Sequence, residues 1–169
     1  MDESRYAEQM VRYMAERDFG IYMRYVRPDL EMTTFHRNYY KILDLFAHKR
    51  VKKLIISAPP QAGKSEGSSR GLPSFLMGMR PSDSIVIGSY NTELARTFNS
   101  DVQRRMREEA YGAVFPYTVI SDGRENREYK CNADETQVVG EDGSGLRVVG
   151  RGSSLTGRKV DVMIMDDLY

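Results

Sequence analysis

Two short stretches of this 169-residue chain carry residue types that could do chemistry together. The first is Ala58-Pro59-Pro60-Gln61-Ala62-Gly63-Lys64-Ser65, which follows the apolar run Lys53-Leu-Ile-Ile-Ser57. It fits the pattern G-x-x-x-x-G-K-[ST], with Ala58 where the first glycine is usual. A tight loop that opens a helix turns several backbone N–H groups inward, and the helix dipole adds partial positive charge. Gly63 lets the backbone come close to a phosphate, Lys64 is placed to bridge β- and γ-phosphates, and the Ser65 hydroxyl to join a Mg²⁺ shell. The second stretch, Asp166-Asp167, lies roughly a hundred residues on, at the end of the run Val160-Asp-Val-Met-Ile-Met165. Strand ends of this kind are where α/β sheets bind ligands. Asp166 is placed to hold Mg²⁺ through water, and Asp167 to orient or deprotonate an attacking water. Glutamate is commoner at the second position, so the shorter Asp167 must sit closer or act through another water. Either stretch alone reads as a turn beside a core strand. Together, in this order, they read as a Walker A and Walker B pair whose ligands are ATP and Mg²⁺.

The elements around them follow from periodicity and capping. Residues 4–17 place Tyr6, Met10, Val11, Tyr13 and Met14 at helical spacing. Gly20 to Thr34 reads as a short helix and a loop, and Thr34 can cap a helix from Phe35 to about His48. Lys53–Ser57 reads as a buried strand and Ser65–Met77 as a helix despite Gly67, Gly71 and Pro73. Ser84–Gly88 is a second buried strand, followed by a helix capped at Asn91 or Thr92 with Leu94, Phe98, Val102 and Met106 on one face. Residues 111–135 read as an irregular excursion. Thr136–Val139 and Leu146–Val149 flank a turn-rich connection, and Val160–Met165 is the clearest strand. Strands alternating with helices argue for an α/β domain with a mostly parallel central sheet.

Composition narrows the classes. Hydrophobic residues make up 40% and charged residues 29%, the balance of a folded domain, with no stretch near the ~20 apolar residues of a spanning helix. Twenty-five Lys and Arg against 24 Asp and Glu leave a net charge of +1, which confines any nucleic-acid contact to local patches. The single cysteine, Cys131, forms neither an internal disulfide nor a zinc site by itself. The acidic start Met1-Asp-Glu-Ser has no apolar core behind it, so a signal peptide is not expected and a cytoplasmic location is.

From Thr34 to Tyr169 the residues resemble the large subunit of tailed-phage terminase, the DNA-packaging ATPase. The pieces are Phe35-His36, Leu54 to Glu66, Leu72-Pro73 with Leu76-Met-Gly78, Gly88-Ser-Tyr-Asn91 with Glu93-Leu-Ala95, Val114-Phe-Pro116, and Gly152-Ser-Ser-Leu-Thr-Gly157 before Asp166-Asp167. The resemblance implies a P-loop NTPase of the ASCE type over residues 35–169, preceded by a helical segment over 1–34. It further implies a motor subunit that hydrolyses ATP to drive double-stranded DNA through the portal protein of a viral head in the host cytoplasm. Such subunits act as a homo-oligomeric ring with a small terminase subunit, without a membrane.

Departures from that pattern shape the expectations. Family members often carry Arg within the loop, but Pro60 and Gln61 stand there. Charge stabilisation would then come from another arginine, with Arg151 and Arg158 as candidates. The chain stops two residues after Asp167, so no nuclease domain is expected, the sheet is expected to be incomplete, and the isolated chain is expected to hydrolyse ATP weakly. Competing readings are a helicase- or recombinase-like ATPase and a nucleotide-binding assembly module without turnover.

Weaker signals stand beside their plain alternatives. His48-Lys-Arg-Val-Lys-Lys53 suits phosphate contact or a helix C-terminus. Arg104, Arg105 and Arg107 read as a solvated, paired face, and Tyr39, Tyr40 and Phe35 as core rather than adenine contacts. His36 reads as a hydrogen-bonded structural residue and Cys131 as inert. Ser89-Tyr-Asn91 ends its strand on the side of the loop, placed to sense nucleotide or DNA, although a helix cap at Asn91 explains it with less.

Overall fold

The computed structural model describes residues 3–141, 143–150, 157 and 159–167. Three helices come first: α1 (Glu3–Ala15), α2 (Phe19–Val26) and α3 (Thr34–Ala47). A π-helix, Glu66–Gly71, runs directly into α4 (Leu72–Met79). Then come β1 (Ser84–Gly88), α5 (Thr92–Met106), α6 (Glu109–Val114), β2 (Glu135–Thr136), β3 (Gly145–Val149) and β4 (Val162–Met165). The sheet order is β2-β3-β1-β4, with β1 parallel to both β3 and β4, and β2 antiparallel to β3. This is an α/β fold with a mostly parallel, open four-stranded sheet flanked by helices.

Local chemistry sets the helix starts. The Asp18 carboxylate accepts from the Ile21 amide at 2.8 Å to cap α2, and the Asn91 side chain accepts from Glu93 at 2.9 Å to cap α5. For α3 the cap is Thr33, one residue before the expected Thr34. In α5 Phe98, Val102 and Met106 are buried, as their spacing predicts. α1 forms but does not bury its apolar stripe: Tyr6, Met10, Val11, Tyr13 and Met14 are all exposed, and only Ala15 is buried. Periodicity reports a helix, not what covers it.

The core joins the helices to one sheet face. Phe19 and Tyr22 of α2 pack on Phe75 with ring centroids 5.5 and 5.2 Å apart, and Tyr22 also meets Tyr111 and Phe115. Beneath them lie Ile85, Ile87, Leu146, Val148, Val162 and Ile164. The Tyr22 hydroxyl finds Ser74 Oγ at 2.8 Å, so this buried phenol is satisfied. Among the described residues no helix is long and apolar enough to cross a membrane.

Two expected elements differ. Residues 53–57 join no ladder: Leu54 and Ile56 pack on the core, but Ile55 is 97% exposed and no backbone group of the run makes a hydrogen bond among the described residues. An apolar β-branched run predicts extended backbone, and pairing needs a neighbouring edge within reach. β4, the outermost strand on that side, pairs only with β1 among the described residues. The second difference is the π-helix within the stretch read as one helix. The excursion over 111–135 is irregular after α6, as expected. Of the expected strand Thr136–Val139, however, only Thr136 pairs with β3, opposite Leu146, with Glu135 opposite Arg147, while Val138 bridges Ile120 instead.

Candidate functional site

The loop before the π-helix turns on two residues in the left-handed region. Gln61 and Gly63 both adopt positive φ, 61° and 76°. At Gly63 a side chain is excluded twice, by that conformation and because a Cβ would lie 2.9 Å from His36 Nε2. Helix begins at Lys64, so the amides of Gly63, Lys64 and Ser65 have no helical acceptor, and none donates a hydrogen bond among the described residues. Three unpaired donors therefore face outward from one turn.

α3 holds this turn in place. The Tyr39 hydroxyl donates to the Lys64 carbonyl at 2.7 Å, and burial pushes its phenol up to about 12, so it stays a donor throughout the neutral range. Gly67 makes the approach possible, since a Cβ there would meet Tyr39 Cε1 at 2.6 Å. His36 bonds Thr33 Oγ1 through Nδ1 at 2.8 Å, the structural role its sequence reading assigned. Tyr39 and Tyr40 are buried in the core, while Phe35 stacks on Tyr39 with centroids 5.6 Å apart.

The strand end meets the loop. Lys64 Nζ lies 3.8 Å from Asp166 Oδ1 and 3.8 Å from Asp167 Oδ1. The two carboxylates are unalike: the side chain of Asp166 is 4% exposed and that of Asp167 is 60% exposed. Asp167 departs from the strand at φ 47°, a left-handed conformation that Asp tolerates better than most residues. Of the three non-glycine residues with positive φ among the described residues, Lys49, Gln61 and Asp167, one lies in the loop and one against Lys64 Nζ. Strain concentrated in this way marks functional sites in general.

Three of the sequence-predicted residues, Lys64, Asp166 and Asp167, are brought together, and the loop residues Ala58 to Gly63 lead directly to them. Ser65 is adjacent in the chain, but its hydroxyl makes no hydrogen bond among the described residues. The hydroxyl on Asp166 is that of Ser69, at 2.5 Å from Oδ2. The wide π turn aims Ser69 there, and no sequence pattern for an α-helix indicates it. Arg151 and Arg158 lie outside the described residues.

Arg105 overturns the reading of a solvated face. Arg104 is exposed and pairs with Asp101, but Arg105 is 5% exposed and its Nη2 donates to Glu66 Oε1 at 2.5 Å. Arg27 Nη1 donates to the same oxygen at 2.6 Å. Glu66, the residue after Ser65, therefore ties α2 and α5 to the first turn behind the loop. Cys131 also has a neighbour, with Arg107 Nη2 donating to its Sγ at 3.2 Å. The signal for Glu66 was its position, since a carboxylate in the first turn of a buried helix needs cationic partners. Glu66→Ala should cost about 2 kcal/mol and lower the melting temperature by roughly 4–8 °C, because it leaves the buried Arg105 guanidinium uncompensated. A melting curve superimposable on that of the parent would show that Arg105 finds another partner.

The site is thus a cation held between a buried and an exposed carboxylate, beside unpaired amides at a helix start. The chain matches no known family model, no curated protein and no solved structure.

Proposed function

We propose that this chain is a P-loop nucleotide hydrolase that binds Mg·ATP in the 58–65 loop. The observation that carries the reading is Lys64, 3.8 Å from both Asp166 and Asp167 at the mouth of a turn with free amides. The donor set fits a hard cation. Asp166 and Asp167 with the Ser65 hydroxyl offer oxygen ligands alone, the kind Mg²⁺ takes alongside water and phosphate. When bound, Mg²⁺ would be held by Ser65 and Asp166 and would neutralise charge on the terminal phosphates.

The chain's own groups divide the remaining work. The amides of Gly63, Lys64 and Ser65 donate to phosphate oxygens, aided by the helix dipole. Lys64 turns from the carboxylates to the β- and γ-phosphates and opposes the charge that builds there during in-line attack. Asp167, exposed and displaced from the strand, orients water and accepts its proton. Any arginine stabilising the leaving phosphate comes from outside this group, with Arg151 and Arg158 as candidates.

The larger role rests on the resemblance to terminase large subunits: ATP hydrolysis coupled to double-stranded DNA translocation, in a ring at a portal protein with a small terminase subunit. The test is a titration of the protein with Mg·ATP, reading thermal stability and phosphate release, with and without double-stranded DNA. The expected result is a rise in melting temperature that requires Mg²⁺, with phosphate release stimulated by DNA. No shift with Mg·ATP sinks the reading. A shift without release reduces it to a nucleotide-binding module.

A further inference from the structure

Ser89, the residue after β1, is 3% exposed, and its Oγ is one of two buried side-chain polar atoms among the described residues with no hydrogen-bond partner. Its backbone is fixed, since the Ser89 amide donates to the Val149 carbonyl at 3.1 Å. Its neighbour across the sheet is also fixed. Gly88 pairs with Met165 in the parallel ladder, and the Asp166 amide donates to the Gly88 carbonyl at 2.9 Å. One residue further along, Ser89 stands beside Asp166. Residues paired across parallel strands share a face, so Ser89 lies with Ile85, Ile87, Val162, Ile164 and Asp166 on the side that the helices bury. The next amide, that of Tyr90, donates to the Asp167 carbonyl at 3.0 Å, which ties this turn to both acids.

A hydroxyl in that place loses its water and gains nothing in the free protein. The run before it is Ile85-Val86-Ile87, and an alanine would fill the position without that cost. Asp166 already accepts from Ser69, which reaches it from the π-helix. A Mg²⁺ ion bound in the loop would compete with Ser69 for the Asp166 carboxylate, since both reach it from the loop's own helix. Ser89 belongs to the sheet, as Asp166 does, and stays beside it.

We propose that Ser89 is a positioning residue for Asp166 in the liganded state, donating to its carboxylate once Ser69 has released it. The inference rests on the nucleotide-binding reading above. Three variants test it: Ser89→Ala, Ser89→Thr, which keeps a hydroxyl, and Ser69→Ala. Thermal melts of the free proteins and calorimetric titrations with Mg·ADP are the readouts. Ser89→Ala should melt at or above the parent's temperature yet bind Mg·ADP about tenfold more weakly, and Ser89→Thr should restore the affinity. Ser69→Ala should show the reverse order of effects, with a lower melting temperature in the free protein. The proposal is overturned if Ser89→Ala lowers the free protein's melting temperature as Ser69→Ala does, or if it binds Mg·ADP as the parent does. Absence of Mg·ADP binding by the parent removes the nucleotide reading and this proposal together, whereas full binding by Ser89→Ala removes this proposal alone.

Discussion

Lys64→Met should weaken Mg·ATP binding roughly 10²- to 10⁴-fold while leaving the fold intact. The ammonium is the one cationic group within 4 Å of both carboxylates among the described residues. In the nucleotide-bound protein it would donate to two phosphates. Each charge-assisted hydrogen bond to an anion contributes about 1.5–3 kcal/mol, and losing two gives the range stated. Methionine keeps the length and the apolar stem, so the change tests the charge rather than the packing. Calorimetric titration with Mg·ATP is the direct measurement, with circular dichroism to verify folding. Parent-like affinity would show that Lys64 does no more than neutralise the two acids.

Asp167→Asn separates turnover from binding. Asparagine accepts the left-handed backbone at this position about as well as aspartate, so the change removes the charge and basicity without straining the chain. The Asp167 carbonyl still accepts from Tyr90. Phosphate release should fall by about 10²- to 10⁴-fold, the share general-base catalysis supplies, with Mg·ATP affinity held within a few-fold. The measurement is single-turnover hydrolysis alongside the binding titration. A variant that hydrolyses at the parent rate would remove Asp167 from the chemistry and shift attention to the buried acid. Together the two substitutions form a cross-check, since one acts on affinity and the other on rate.

Much of this arrangement is legible in the sequence, and what is not has identifiable causes. Asn91 announces its helix because an Asx side chain completes an orphan amide locally, whereas Asp18, which caps α2 in the same way, does not stand out in the sequence. Ser84–Gly88 matches its expected strand because its apolar run is flanked by turn residues and paired on both edges. Lys53–Ser57 has the same composition but no ladder, because pairing depends on a second strand that composition does not describe. Lys64, Asp166 and Asp167 are legible because their spacing and order carry the chemistry. Ser69 and Arg105 are not, and of Ser89 the sequence shows only that it ends a strand on the loop's side. Ser69 depends on a π turn that changes which residue faces the sheet. Ser89 matters through register with a strand some 75 positions away, and Arg105 through a long-range pair with Glu66. The helix α1 shows the limit from the other side: its apolar stripe is plain in the sequence, yet the residues stand in solvent.

The bare side of β4 has a consequence for how force reaches the two halves of the site. Asp166, Ser89 and Tyr90 are riveted through successive main-chain bonds to β1, β3 and one another. The lysine side hangs differently, from the Tyr39 phenol, from Glu66 behind it, and from a stretch of chain held by Leu54 and Ile56 but by no backbone hydrogen bond among the described residues. A pull on Lys64 therefore meets compliance upstream of the loop and stiffness in the sheet. Displacement would be taken up by the segment before residue 58 rather than by the strands.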